Sequence, residues 1–147
     1  MIRFRLSTIL IVVALAAVSV FIVNRFFQSD ALNTAAKEGD LLKVKQLIEN
    51  GTPVNGRGMH SMTPLMWACN SGNVEVIDYL IDNGASVNCH NSSGSALMWA
   101  IESGNPDAVS LLLEKKVDVN WSNDLGDTAS SFAHEKGNQE IIDLLAK

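Results

Sequence analysis

Thr63-Pro64-Leu65-Met66-Trp67-Ala68-Cys69-Asn70-Ser71-Gly72-Asn73 is the stretch whose reading decides the fold. Thr63 suits a helix cap, Pro64 suits a first helical turn, and Gly72 stops the helix one residue before a new cap at Asn73. A second helix follows over 74–82, with Val74, Ile77, Leu80 and Ile81 along one face. Asn83-Gly84 ends it, and Ala85-Ser86-Val87-Asn88 leads into an extended turn. The pattern then returns, with Ser95 as cap, Ala96-Leu97-Met98-Trp99-Ala100, the stop at Gly104, and Asn105-Pro106-Asp107 opening a helix through Leu111, Leu112 and Leu113.

Working outward, Gly39, Gly72, Gly104 and Gly137 stand 33, 32 and 33 residues apart, each preceded four residues earlier by Ala35, Ala68, Ala100 or Ala133. Val54-Asn55, Val87-Asn88 and Val119-Asn120 recur at one offset from the first three glycines. A fixed period of this size means stacked helical units, because one unit alone cannot bury its apolar face. The question of function thereby moves from chemistry to binding.

Thr63-Pro64-Leu65, Ala68, Gly72, Tyr79-Leu80-Ile81, Asn83-Gly84-Ala85 and Val87-Asn88 resemble the ankyrin repeat over about residues 30–147. The likeness is to short, membrane-anchored or exported members of bacterial type. The resemblance implies an all-α solenoid of about four helix–turn–helix units joined by inter-repeat hairpin loops, with units near 30–58, 59–91, 92–123 and 124–147. The sequence departs from that pattern in places. Met66 and Met98 replace the usual histidine, Lys115-Lys116 replaces Asn-Gly, and the hairpin from Asn88 to Ser95 is one residue shorter than that from Asn55 to Thr63. The end units look like caps and give a complete array, a monomer. Asp30 takes the cap slot of the first, which exposes Asn33, Lys37 and Lys43, and Ser130-Ser131 stand in the last where inner units have Leu-Met.

Residues 6–23 form an uncharged run behind Arg3 and Arg5, just long enough for a bilayer core as a helix. Residues 1–25 therefore read as a signal-anchor or transmembrane helix and 26–29 as a short linker. A cleaved signal peptide is the alternative, since Ala14-Leu15-Ala16 fits a cleavage site, although the apolar run continues past it. The basic residues favour the N-terminus inside and the repeats outside the cytoplasm, in the periplasm if the chain is bacterial.

With Arg3, Arg5 and Arg25 set aside, 8 of the 11 basic side chains face all 16 acidic ones, a net charge near −8 on the repeats. That sign disfavours nucleic acid and fits a basic protein partner. Cys69 and Cys89 do not make a disulfide scaffold. His60, Cys89 and His90 raise a metal or redox alternative, but no pair has the close spacing of a zinc motif, and no metal or cofactor is expected. Phosphate-binding, zinc-protease and hydrolase motifs are missing from the sequence. Asp78 and Asp82, one turn apart, read as a solvated stripe, so no enzyme activity is expected. Trp67, Trp99 and Phe132 share a slot and read as a packing ladder, whereas Trp121 sits where Gly56 and Cys89 stand in other hairpins.

The resemblance implies binding by hairpin tips and the exposed side of the first helices. Carried onto this chain, the hairpin positions are Arg57, Met59, His60 and Met62, then His90, Ser92 and Ser93, then Trp121, Ser122, Asp124, Leu125 and Asp127. The helix positions are Lys37, Glu38, Asn70, Ser71, Glu102, Ser103, Glu135 and Lys136. Met59 and Met62 are expected at a solvent-facing tip. The function expected is a membrane-tethered module that protects, sequesters or inhibits an extracytoplasmic protein, such as a basic envelope enzyme. The rival keeps the fold and faces the array into the cytoplasm as an adaptor.

Overall fold

The computed structural model describes residues 2–146; the side chains of 2–8, 21, 24–26 and 59 lie outside the description. Eight α-helices follow one another among the described residues: α1 (Ile2–Glu38), α2 (Leu41–Glu49), α3 (Pro64–Ser71), α4 (Val74–Asp82), α5 (Ala96–Ser103), α6 (Pro106–Glu114), α7 (Ala129–Lys136) and α8 (Gln139–Leu145). A 3-10 turn at Met59–Ser61 precedes α3. Helices α1, α3, α5 and α7 stack in one layer and α2, α4, α6 and α8 in a second, with the two helices of each unit packed together. The connecting loops carry isolated antiparallel bridges, His90 to Ser95 and Ser122 to Thr128.

The period places like residues in like slots of the core. Leu32, Leu65 and Leu97 are fully buried at one level, as are Val44, Ile77 and Val109 at another. Each such side chain contributes roughly 1.5–3 kcal/mol relative to exposure. In the last unit the leucine slot holds Ser130, which is exposed, so the stack ends there on a polar face.

Caps fix where each helix starts. The hydroxyls of Thr63, Ser95 and Thr128 accept from the backbone N–H of Met66 (3.3 Å), Met98 (3.3 Å) and Ser131 (3.2 Å). At the opposite ends Gly72 (φ 69°) and Gly104 (φ 71°) turn the chain through left-handed geometry, which a Cβ would oppose. Asn73 occupies the cap position of α4 but makes no cap hydrogen bond. Its counterparts Asn105 and Asn138 both cap their own helices and donate across the stack, to the carbonyls of Gly72 (2.9 Å) and Gly104 (3.4 Å).

The repeated Val-Asn pair has a similar cross-unit duty. Asn55 accepts from the N–H of Ser86 (2.9 Å) and donates to the Gly84 carbonyl (2.9 Å), while Asn88 accepts from Asp118 N–H (2.8 Å). Each unit therefore holds the turn of the next.

Lys115-Lys116 shows how a departure is accommodated. The Lys115 ammonium reaches Asp78 and Asp82 of the preceding unit, 2.8 Å from each, so the two carboxylates are a cross-repeat clasp as well as a surface stripe. Hydrogen bonds to Asp78 and then Asp82 raise the pKa of Lys115 and keep it charged. Lys116 takes φ 61°, the geometry that Gly51 and Gly84 adopt in the earlier units. A residue with a Cβ is strained there by about 1 kcal/mol. Lys116→Gly should therefore raise the thermal midpoint by a few degrees; an unchanged or lower midpoint in a circular-dichroism melt would contradict that strain.

Three expectations at the N-terminal end are corrected. No linker at residues 26–29 precedes the first unit: α1 passes through them, because the chain holds neither glycine nor proline before Gly39. Asp30 is consequently inside a helix and caps nothing. Asn33, expected on an exposed face, is 5% exposed and buried.

The localisation is corrected too. Among the described residues no helix is long and apolar enough to cross a membrane, so the single-pass anchor with extracytoplasmic repeats is not supported. Within the uncharged run, the described side chains are continuous only over 9–20, all exposed. That is about 18 Å of helix against a hydrocarbon core of about 30 Å. The C-terminal part of the same helix packs on α2 and α3 as the first helix of the array.

Candidate functional site

Three loops stand side by side along one edge of the stack, at 56–62, 89–95 and 121–128. Hydrogen bonds between them set their register. Arg57 donates through its guanidinium to the Ser61 carbonyl (2.8 Å) and to the His90 carbonyl of the next loop (3.0 Å). Asn91 donates to the His60 carbonyl (3.2 Å), and Asn123 to the Ser93 carbonyl (3.4 Å). Asn91 also closes its own loop by accepting from Ser93 and Gly94 N–H, both at 3.0 Å. Asn123 does the same for Leu125 (3.0 Å) and Asp127 (2.8 Å).

The first loop is the strained one. His60 and Ser61 both take positive φ, 59° and 55°. Two consecutive left-handed residues without glycine cost roughly 1–2 kcal/mol each. The extra residue of this hairpin is accommodated by that turn. Strain of this kind persists only where neighbours over-determine it, here Arg57 and Asn91.

Of the residues assigned to partner binding, many serve the scaffold. Arg57 is the staple between loops. Met62, expected at the solvent-facing tip, is 4% exposed and belongs to the core. It directly precedes the Thr63 cap, a position where an apolar residue commonly turns inward onto the helix. The side chain of Met59 lies outside the described residues. Ser71 donates to the Lys37 carbonyl (2.7 Å) and Ser103 to that of Ala100 (2.7 Å), while Asn70 is half-buried. Lys136 pairs with Glu102 and lies 5.2 Å over the Phe132 ring. Trp121 is half-buried, its ring 4.8 Å from that of His90, which joins the second and third loops. Asp127 accepts from Asn123 (3.0 Å).

His60, His90, Ser92, Ser93, Ser122, Asp124, Leu125 and Glu135 remain exposed. Leu125 is 86% exposed, at the tip of a loop whose own hydrogen bonds hold it in place. Its signal in the sequence was an apolar residue between Asp124 and Gly126.

The metal or redox alternative does not assemble. Cys89 is buried and accepts from the Thr63 hydroxyl (3.2 Å), whereas His60 and His90 are exposed. No group of three or more His, Cys, Asp or Glu suited to a metal ion occurs among the described residues. Cys69 and Cys89 are free thiols. Burial pushes both up, Cys69 the further, so neither is poised as a nucleophile.

A family model described as ankyrin repeats (three copies) matches residues 8–91 and 86–147. Among characterised proteins, the chain is 41% identical over 56 residues to acyl-CoA-binding domain-containing protein 1 of Arabidopsis thaliana, covering 38% of this chain and 17% of that protein. It is 37% identical over 59 residues to ankyrin repeat domain-containing protein 40 of Mus musculus, covering 40% of this chain and 16% of that one. The chain thus spans less than a fifth of these relatives, and the likeness concerns the repeats alone. With two stacked helical layers, glycine-stopped helices and hairpin connections at a period of 32 or 33 residues, the chain belongs to the ankyrin-repeat family.

Proposed function

We propose that this protein captures another protein on the edge formed by its three hairpin loops and the adjoining first helices. It sequesters or shields that partner by covering its surface and performs no reaction of its own. The observation that carries this reading is Leu125, a large apolar side chain 86% exposed on a hydrogen-bonded loop tip beside Asp124. An apolar group held in place at a tip loses little freedom on binding and makes a natural anchor. Arg57, Asn91 and Asn123 support it by presenting the loops as one rigid edge. The excess of acidic side chains on the repeats favours a basic partner, because complementary charge speeds encounter and rejects acidic competitors.

The test is cross-linking of the tagged full-length protein in its own cells, followed by identification of what co-purifies. One dominant basic protein, whose activity falls or whose proteolysis slows when the purified chain is added, is the expected result. Recovery of no protein above an untagged control would overturn the reading.

A further inference from the structure

A groove of about 310 Å³ opens between α1, the first loop and α3, lined by Asp30, Asn33, Thr34, Lys37, His60 and Trp67. The four α1 residues follow the spacing i, i+3, i+4, i+7 and so share one helical face. Asn33 is the unusual member. It is 95% buried, yet neither its Nδ2 nor its Oδ1 has a hydrogen-bond partner among the described residues. In the next two units the same slot holds Met66 and Met98, which are buried without leaving polar atoms unpaired. An interior carboxamide without a protein partner is disfavoured, and an apolar side chain would remove that penalty.

Gly58 keeps the carboxamide accessible. A Cβ there would collide with Nδ2 of Asn33 and Oδ1 of Asp30. Trp67 supplies an aromatic wall, with the Lys37 ammonium 5.0 Å from its ring centroid. The groove thus carries a carboxylate at one end and an ammonium at the other. A free donor and a free acceptor lie side by side between them.

A side-by-side donor and acceptor is the complement of a peptide unit, which presents one C=O and one N–H. Asp30 and Lys37 are seven residues apart on the helix, about 10 Å, which an extended chain spans in three residues. We propose that this groove binds an extended peptide segment of a partner protein, pairing one of its main-chain amides with the Asn33 carboxamide. A basic side chain of the segment faces Asp30 and an acidic one faces Lys37. This inference rests on the reading of the chain as a protein-binding module and names the feature of the partner that is read.

The test uses the isotope-labelled full-length protein and two blocked tripeptides, Ac-Lys-Gly-Glu-NHMe and Ac-Glu-Gly-Lys-NHMe, since the direction of the segment is open. The expected result is saturable shifts of the Asn33 side-chain amide and the Trp67 indole N–H with at least one of them. Asn33→Met should weaken that binding roughly tenfold, the loss of two hydrogen bonds, while its melting temperature holds or rises. A purely structural Asn33 would instead lower the melting temperature. No saturable shift with either peptide, or equal affinity in Asn33→Met, would overturn the proposal and leave a water-filled groove. Partner capture by cross-linking that persists without any peptide shift would overturn the groove alone and leave the wider reading standing.

Discussion

Leu97→Ala should destabilise the array by about 3 kcal/mol, well beyond the cost of a typical surface substitution. Leu97 is fully buried in α5, and α5 packs against α3 on one side and α7 on the other. Truncation leaves a cavity bounded by two neighbouring units, each anchored by its own caps and unable to close far. In a stacked array the stability is approximately a sum of unit and interface contributions, so an inner unit weakens two interfaces at once. Leu32→Ala, with a stacked neighbour on one side, should cost less. Urea unfolding followed by circular dichroism compares the two. A loss below about 1 kcal/mol for Leu97→Ala would mean that the stack collapses onto the cavity, contrary to the packing described.

The repeat register was legible because it is written in residues with narrow conformational roles. Thr63, Pro64 and Gly72 each permit few alternatives, and their return at Ser95 and Gly104 located the helices. The continuity of α1 was legible in principle, since no breaker occurs before Gly39, but the hydropathy change near residue 26 was given more weight. Residue polarity also misled at Asn33. Its slot, shared with Met66 and Met98, pointed inward, and register is a better guide to burial than polarity in a repeat array.

The site was less legible than the fold. Hairpin residues were identified by position, but position does not say which of them hold the loops together. Arg57 and Asn91 act on residues about one period away, His90 and His60, and such pairs are visible only once the units are stacked. The same holds for Lys115, whose partners Asp78 and Asp82 had read as a solvent-facing pair. Met62 failed for a local reason, because the residue before a cap packs inward even when its loop is at the surface.

Leu125 is the residue on which the binding reading depends. Asn123 accepts from the N–H of both Leu125 and Asp127, and it reaches back to the Ser93 carbonyl of the preceding loop. The tip is therefore held in place before any partner arrives, and the cost of ordering it has already been met in folding. A pre-placed aliphatic side chain entering a partner's pocket typically accounts for about 2 kcal/mol, close to thirtyfold in affinity. Leu125→Ser removes that anchor without adding charge. Since the side chain lies outside the core, fold stability should be unaltered.

The most direct measurement compares partner capture by the wild-type protein and Leu125→Ser, with helical content and melting temperature checked for both. Capture reduced about thirtyfold with an unchanged melt is the predicted result. Equal capture by the two proteins would contradict the assignment of the hairpin edge as the binding face.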